Sequence, residues 1–201
     1  MRPARPDPAG APATSDRVLN LPNVLTVARI LCVPLMAALL WFDGGTDGLA
    51  RDAAAVVFVL AALTDLADGA IARRYGMVTT FGKIADPIAD KALIGVALVS
   101  LSLMGDLAWW ITVIILVREL GVTALRFWVI EHGVIPATRG GKAKTVAQTV
   151  AIAMYLVDIR WEWWAAASAV VMGIAVILTV VTGLDYVVRA VRMRRTAREE
   201  R

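Results

Sequence analysis

Four aspartates crowd the stretch DLADGAIARRYGMVTTFGKIADPIAD, residues 65–90. Asp65 and Asp68 are three residues apart, and Asp86 and Asp90 are four apart. Each spacing puts a pair of carboxylates on one face of a helix. Four such anions brought together repel, so either some are protonated or a cation lies among them. A donor set made only of oxygen, with no Cys or His, suits a hard ion such as Mg²⁺ or Mn²⁺. Two such ions roughly 3.5–4 Å apart can hold a phosphoryl group.

The acids also have plainer readings. Asp86 precedes Pro87 and could be a helix N-cap with proline at the first helical position. Asp65 and Asp68 could face water at a helix end. Asp90 lies a full turn into an apolar helix, where an acid is costly unless it has a task. Gly69, Ala72 and Gly82 are small enough to admit a ligand against the backbone, or else serve tight helix packing. Arg73 is placed to meet phosphate or to snorkel.

A second group of charges is basic. LVRELGVTALRFW carries Arg118, Glu119 and Arg126 in an apolar run, and ATRGGKAKTVAQT adds Arg139, Lys142 and Lys144. Arginine forks and lysine point charges suit a phosphate, which favours an acceptor already phosphorylated. The competing readings are an Arg118–Glu119 salt bridge and a positive-inside role for Lys142 and Lys144.

These groups are carried by a chain that is 59% hydrophobic, with net charge +4 and one cysteine. Its mean hydropathy is +0.68. A soluble domain is usually nearer half apolar. Six apolar stretches appear, at about Val24–Trp41, Ala53–Ile71, Ile88–Met104, Leu107–Ile130, Val146–Val157 and Trp163–Val188. With about 20 apolar residues needed per span, the expectation is an all-α integral membrane bundle of six transmembrane helices. Residues 1–19 read as a disordered cytoplasmic tail, 20–190 as the membrane domain and 191–201 as a basic cytoplasmic tail. A cleaved signal peptide fits less well, because Arg29 interrupts the first run.

Lysine and arginine set the orientation. With the N-terminus inside, Arg2, Arg5, Arg17, Arg73, Arg74, Lys83, Arg139, Lys142, Lys144 and the Arg-rich C-terminus are all cytoplasmic. Only Arg51 and Arg160 fall outside, so both termini are expected in the cytoplasm. Trp41, Trp109, Trp110, Trp161, Trp163 and Trp164 then gather at the outer interface, where indoles prefer to sit. On this topology the second and third helices are antiparallel neighbours joined by a short loop, and their four carboxylates converge just inside the membrane.

The pattern Asp65-x2-Asp68-Gly69-x2-Ala72-Arg73-x8-Gly82-x3-Asp86-x3-Asp90 resembles, without departure, the signature of the CDP-alcohol phosphotransferase family. The resemblance covers roughly residues 20–190 and implies a six-helix fold, a cytoplasmic-side active site and a CDP-linked lipid donor. It implies metal ligation by Asp65, Asp68 and Asp86, with Asp90 touching metal and acting as base. It also places Asn23 and Thr26, with Gly69, Ala72, Arg73 and Gly82, at the CDP-lipid, and Arg29 near the site. The segments LPNVLTVAR, VREL…ALRFW and GGKAKTVAQ resemble those of family members that use glycerol 3-phosphate and make phosphatidylglycerophosphate. That assigns Arg118, Arg126, Arg139, Lys142 and Lys144 to the acceptor phosphate. Phe127 departs from the acid that many relatives carry there.

The expected enzyme thus transfers the phosphatidyl group of CDP-diacylglycerol to glycerol 3-phosphate in the cell (inner) membrane, using two Mg²⁺ or Mn²⁺ ions. Membrane lipid is its surroundings and a homodimer its expected assembly; no nucleic acid is involved. Inositol-phosphate and cardiolipin synthesis are the enzyme alternatives. A divalent-cation transporter is the alternative of another class, though such sites usually lie nearer the bilayer midplane. The topology is checked by labelling: Gly76→Cys should react with an impermeant thiol reagent from the cytoplasmic side only.

Overall fold

The structure, a computed structural model, describes residues 21–42, 48–75, 80–129, 139–157, 159 and 161–199. Within these, the side chains of residues 21–22, 66–75, 80–81, 83–84, 126–129, 139 and 195–199 lie outside the description. The described residues form six α-helices and no strand: α1 Leu21–Trp41, α2 Gly48–Tyr75, α3 Thr80–Leu103, α4 Trp109–Val129, α5 Arg139–Leu156 and α6 Glu162–Glu199. The expected all-α architecture is found, with one helix for each apolar stretch.

The helices extend beyond the apolar runs, because a helix continues wherever its backbone bonds can close, whatever its side chains. α3 starts six residues before Asp86, so Pro87 lies inside the helix. This overturns the N-cap reading of Asp86: the acid sits on a helical face. Pro87 removes one backbone donor and α1 carries a similar Pro34. At the other end of the chain, α6 continues through the basic residues as far as Glu199. At 1.5 Å per residue the 38 residues of α6 reach about 57 Å.

The packing order differs from the sequence order. α1 lies against both α2 and α3 along most of its length, whereas α2 and α3 meet only lightly. α6 packs on α5 and α4. The core joins these layers through Met36, Leu40, Phe58, Leu98, Ile115 and Ile152, all fully buried. So α2 and α3 are not the close pair that a short connection suggested. The first helix separates them and supplies what lies between.

The end of the bundle away from the carboxylates is pinned by polar contacts. α3 stops in a Schellman turn: the Asp106 N–H donates to the Leu101 carbonyl at 3.0 Å and Gly105 N–H to Ser102 at 3.2 Å. Gly105 has φ +84°, a conformation that any side chain would strain. Arg51 of α2 donates to the Tyr155 carbonyl at 2.9 Å and the Leu156 carbonyl at 3.1 Å, and pairs with Asp106 at 2.7 Å. One guanidinium thereby ties α2, the end of α5 and the α3–α4 turn. Trp164 donates to the Met154 carbonyl at 3.1 Å, and Trp163 lies tilted against Trp161 and edge-to-face with Trp164. Trp41, Trp109 and Trp110 end or begin helices at this same end.

Among the described residues, two helical segments are long and apolar enough to cross a membrane, Asn23–Trp41 and Glu162–Arg194. The intervening helices carry charged side chains that lower their hydropathy, such as Arg118 and Glu119 in α4. Arg51→Met should lower stability by about 1–3 kcal/mol in thermal unfolding, since three acceptors lose a buried donor. Asp52→Asn, on the exposed neighbour, should change it by under about 0.5 kcal/mol.

Candidate active site

α1 presents Asn23, Thr26 and Arg29 on one face, at three-residue intervals, and all three are buried. Arg29 is 1% exposed, which rules out snorkelling to a surface. Its Nη1 donates to Asp65 Oδ1 at 2.6 Å and its Nε to the Ala61 carbonyl at 3.3 Å. Ala61 and Asp65 are one turn apart on α2, so the fork of the guanidinium grips both levels of that helix. Three residues earlier on α1, the Thr26 hydroxyl donates to the Asp86 carboxylate on α3. The first helix therefore holds one acid from each of its two neighbours.

On α3, Gly82, Asp86 and Asp90 follow at four-residue intervals and share one face. Gly82 is buried, and Ala85 and Ala89 are buried beside it. The Asp65 side chain is 38% exposed despite its ion pair, so its carboxylate remains open on one side. The charges acting on Asp90 are Asp65, Glu119, Arg29 and Lys144. Asp90 is thus the link between the acidic group and the basic one.

The basic group centres on an acid. Glu119 Oε1 accepts from Lys144 and, at 3.2 Å, from Arg118 Nη1. Arg118 Nη2 donates to the Thr182 hydroxyl of α6 at 3.0 Å, while its buried Nε has no acceptor among the described residues. Lys144 is 5% exposed at the side chain. Gly183 allows this approach: a Cβ there would stand 3.0 Å from Arg118 Cγ. The network joins α4, α5 and α6. Two cations and one anion leave it with a single net positive charge.

Of the residues singled out from sequence, Thr26 meets Asp86 and Arg29 meets Asp65 at the α1–α2–α3 junction, Asn23 and Gly82 are buried on α1 and α3, and Lys144, which shares Glu119 with Arg118, is among the charges acting on Asp90. The salt-bridge alternative for Arg118 is realised. Lys142 is exposed. The side chains of Asp68, Gly69, Ala72, Arg73, Arg126 and Arg139 fall outside the description, although all six residues lie within helices. Sequence reasoning undervalued two residues. Arg29 emerges as the buried partner of Asp65, and Glu119 as the hub of the basic group; the signal in each case was a charge inside an apolar run.

The donor chemistry fits a hard divalent ion, since Asp65, Asp86 and Asp90 offer oxygen alone. Among the described residues no three acids, cysteines or histidines are gathered tightly enough to enclose an ion. Two of the acids are instead drawn to Arg29 and Thr26.

This helical architecture and its acidic face accord with the comparison to known families. Residues 19–181 match the family model described as CDP-alcohol phosphatidyltransferase, and the chain belongs to that family of enzymes. A Mycobacterium tuberculosis protein named "Probable phosphatidylglycerophosphate synthase" is 51% identical over 189 residues, covering 94% of this chain and 90% of that protein. The Rickettsia typhi protein named "CDP-diacylglycerol--glycerol-3-phosphate 3-phosphatidyltransferase" is 37% identical, covering 83% of this chain and 94% of its own. A Bacillus subtilis protein of the same name is 36% identical, covering 84% and 94%.

Glu119→Gln should lower stability by about 2–4 kcal/mol, because it leaves a buried lysine without a counter-charge. In a double-mutant cycle with Lys144→Met, measured by thermal unfolding, the pair should show a coupling of at least about 1 kcal/mol.

Proposed function

We propose that this chain transfers the phosphatidyl group of CDP-diacylglycerol to glycerol 3-phosphate, forming phosphatidylglycerophosphate and CMP. The observation that supports the reading is that one face of α1 holds Asp65 of α2 through Arg29 and Asp86 of α3 through Thr26, with Asp65 and Lys144 both among the charges acting on Asp90. The names of the relatives from M. tuberculosis, R. typhi and B. subtilis support the same acceptor and product.

The reaction is set in the cell (inner) membrane, with residues 20–190 as the membrane domain and both termini cytoplasmic. Large aliphatic side chains open to the surroundings support this, among them Leu31, Val117, Leu120, Ile177 and Leu184. So do the tryptophans at one end of the bundle and the Lys/Arg excess at the other. The polar residues of α2 to α5 would then face one another rather than lipid, as charged groups in membranes do.

Asp65, Asp68, Asp86 and Asp90 would hold two Mg²⁺ or Mn²⁺ ions. When bound, such ions neutralise a diphosphate and stabilise charge that develops as it is displaced. Asn23, Thr26, Gly69, Ala72, Arg73 and Gly82 bind the CDP end of the donor; the small residues let it lie against the helices. Arg118, Arg126, Arg139, Lys142 and Lys144 bind the acceptor's phosphate, with Arg118 Nε as an unused donor. Asp90 accepts the proton of the acceptor hydroxyl. The freed oxygen attacks the lipid-side phosphorus, the bond to the bridging oxygen breaks, and CMP departs with that electron pair. The acting enzyme is a homodimer.

Purified chain should release CMP from CDP-diacylglycerol only when Mg²⁺ or Mn²⁺ and glycerol 3-phosphate are both present. Inositol 3-phosphate and phosphatidylglycerol should not replace the acceptor; equal turnover with either would overturn the assignment. Asp90→Asn should lower kcat at least about 100-fold, consistent with loss of a positioned base.

A further inference from the structure

Arg29 carries a charge opposite to that of the acids around it, and the resemblance that placed it near the site assigned it no task. Its position gives it one. It lies on α1, which packs on both α2 and α3, where Asp65 of α2 acts on Asp90 of α3. It pairs with Asp65 at 2.6 Å, and it is among the charges acting on Asp90. It has no path to solvent, being 1% exposed. A guanidinium in that position cannot leave when charge arrives from outside; it can only share its partner.

We propose that Arg29 is a built-in counter-cation of the carboxylate cluster. It holds Asp65 and offsets the mutual repulsion of the acids until a divalent ion takes over part of that neutralisation. This rests on the divalent-ion reading of the site. Three observations favour it over a purely structural salt bridge. Asp65 stays 38% exposed, so a second cation can reach the carboxylate from its open side. Arg29 engages one oxygen, Oδ1, leaving Oδ2 for another partner. And a further hydrogen bond, from Nε to the Ala61 carbonyl at 3.3 Å, anchors the head group to backbone whatever the carboxylate does. A hinge-free anchor of this kind keeps the positive charge at fixed depth while the acid's other side is recruited.

The consequence is a trade between two cations. With Arg29 present, an entering ion meets a cluster whose charge is partly answered. With Arg29 neutralised, the cluster is destabilised by itself and gains more from the ion. Thermal unfolding of the full-length chain, followed by tryptophan fluorescence in EDTA and in saturating Mn²⁺, reads this directly. Arg29→Met should lower Tm in EDTA by about 5 °C, as expected when charge-assisted hydrogen bonds to a half-exposed carboxylate are lost. Mn²⁺ should then raise its Tm at least about twice as far as it raises that of the parent chain. Arg29→Lys, which keeps the charge and preserves folding, should respond to Mn²⁺ much as the parent does. Equal Mn²⁺ shifts in Arg29→Met and the parent overturn the proposal and leave the metal reading standing. So does a parent that responds while Arg29→Met does not. Absence of a shift in all three chains overturns the metal reading, and the proposal with it.

Discussion

The fold turns on like-charge repulsion and its answer. Asp65 of α2 and Asp90 of α3 act on one another, and like charges on neighbouring helices need compensation. The compensation comes from α1. Arg29 pairs with Asp65 of α2 and Thr26 donates to Asp86 of α3. α2 and α3 barely touch, so the geometry of the acidic face is set by a helix that contributes no acid to it. Removing Asp65 would strand the buried charge of Arg29, a strongly destabilising change. That makes α1 a part of the site rather than a neighbour of it.

The basic half follows the same rule with the signs exchanged. Lys144 and Arg118 come from different helices and share one oxygen of Glu119. Together they retain one net positive charge, available to an anion, yet neither cation is left without a partner. The two halves are not independent, since Asp90 lies in the field of both. Asp90 thereby couples the group held by α1 to the one centred on Glu119.

Much of this was legible beforehand. Six apolar runs mark six helices, and spacings of three and four among Asp65, Asp68, Asp86 and Asp90 mark the faces that carry them. The errors were local and have one cause. Apolarity reports where a helix is buried, not where it begins, so α3 was expected to start near Pro87 when it starts at Thr80, and α6 runs on through its arginines to Glu199. Similarly, a short connection suggested that α2 and α3 pack together. Chain proximity says nothing about a third helix inserted between them.

What the sequence determined by itself was chemistry: the kinds of donor, their sign, the helical faces they occupy, and a signature specific enough to place the family. Those follow from residue type and short spacing, which act over one or two turns. The tertiary structure decided the pairings. Arg29 with Asp65 is 36 residues apart in the chain, Thr26 with Asp86 is 60 and Lys144 with Glu119 is 25. No local periodicity encodes which buried charge meets which. That choice is made when whole helices pack, because each buried charge must find an opposite partner at the place where the apolar faces have already fixed its backbone.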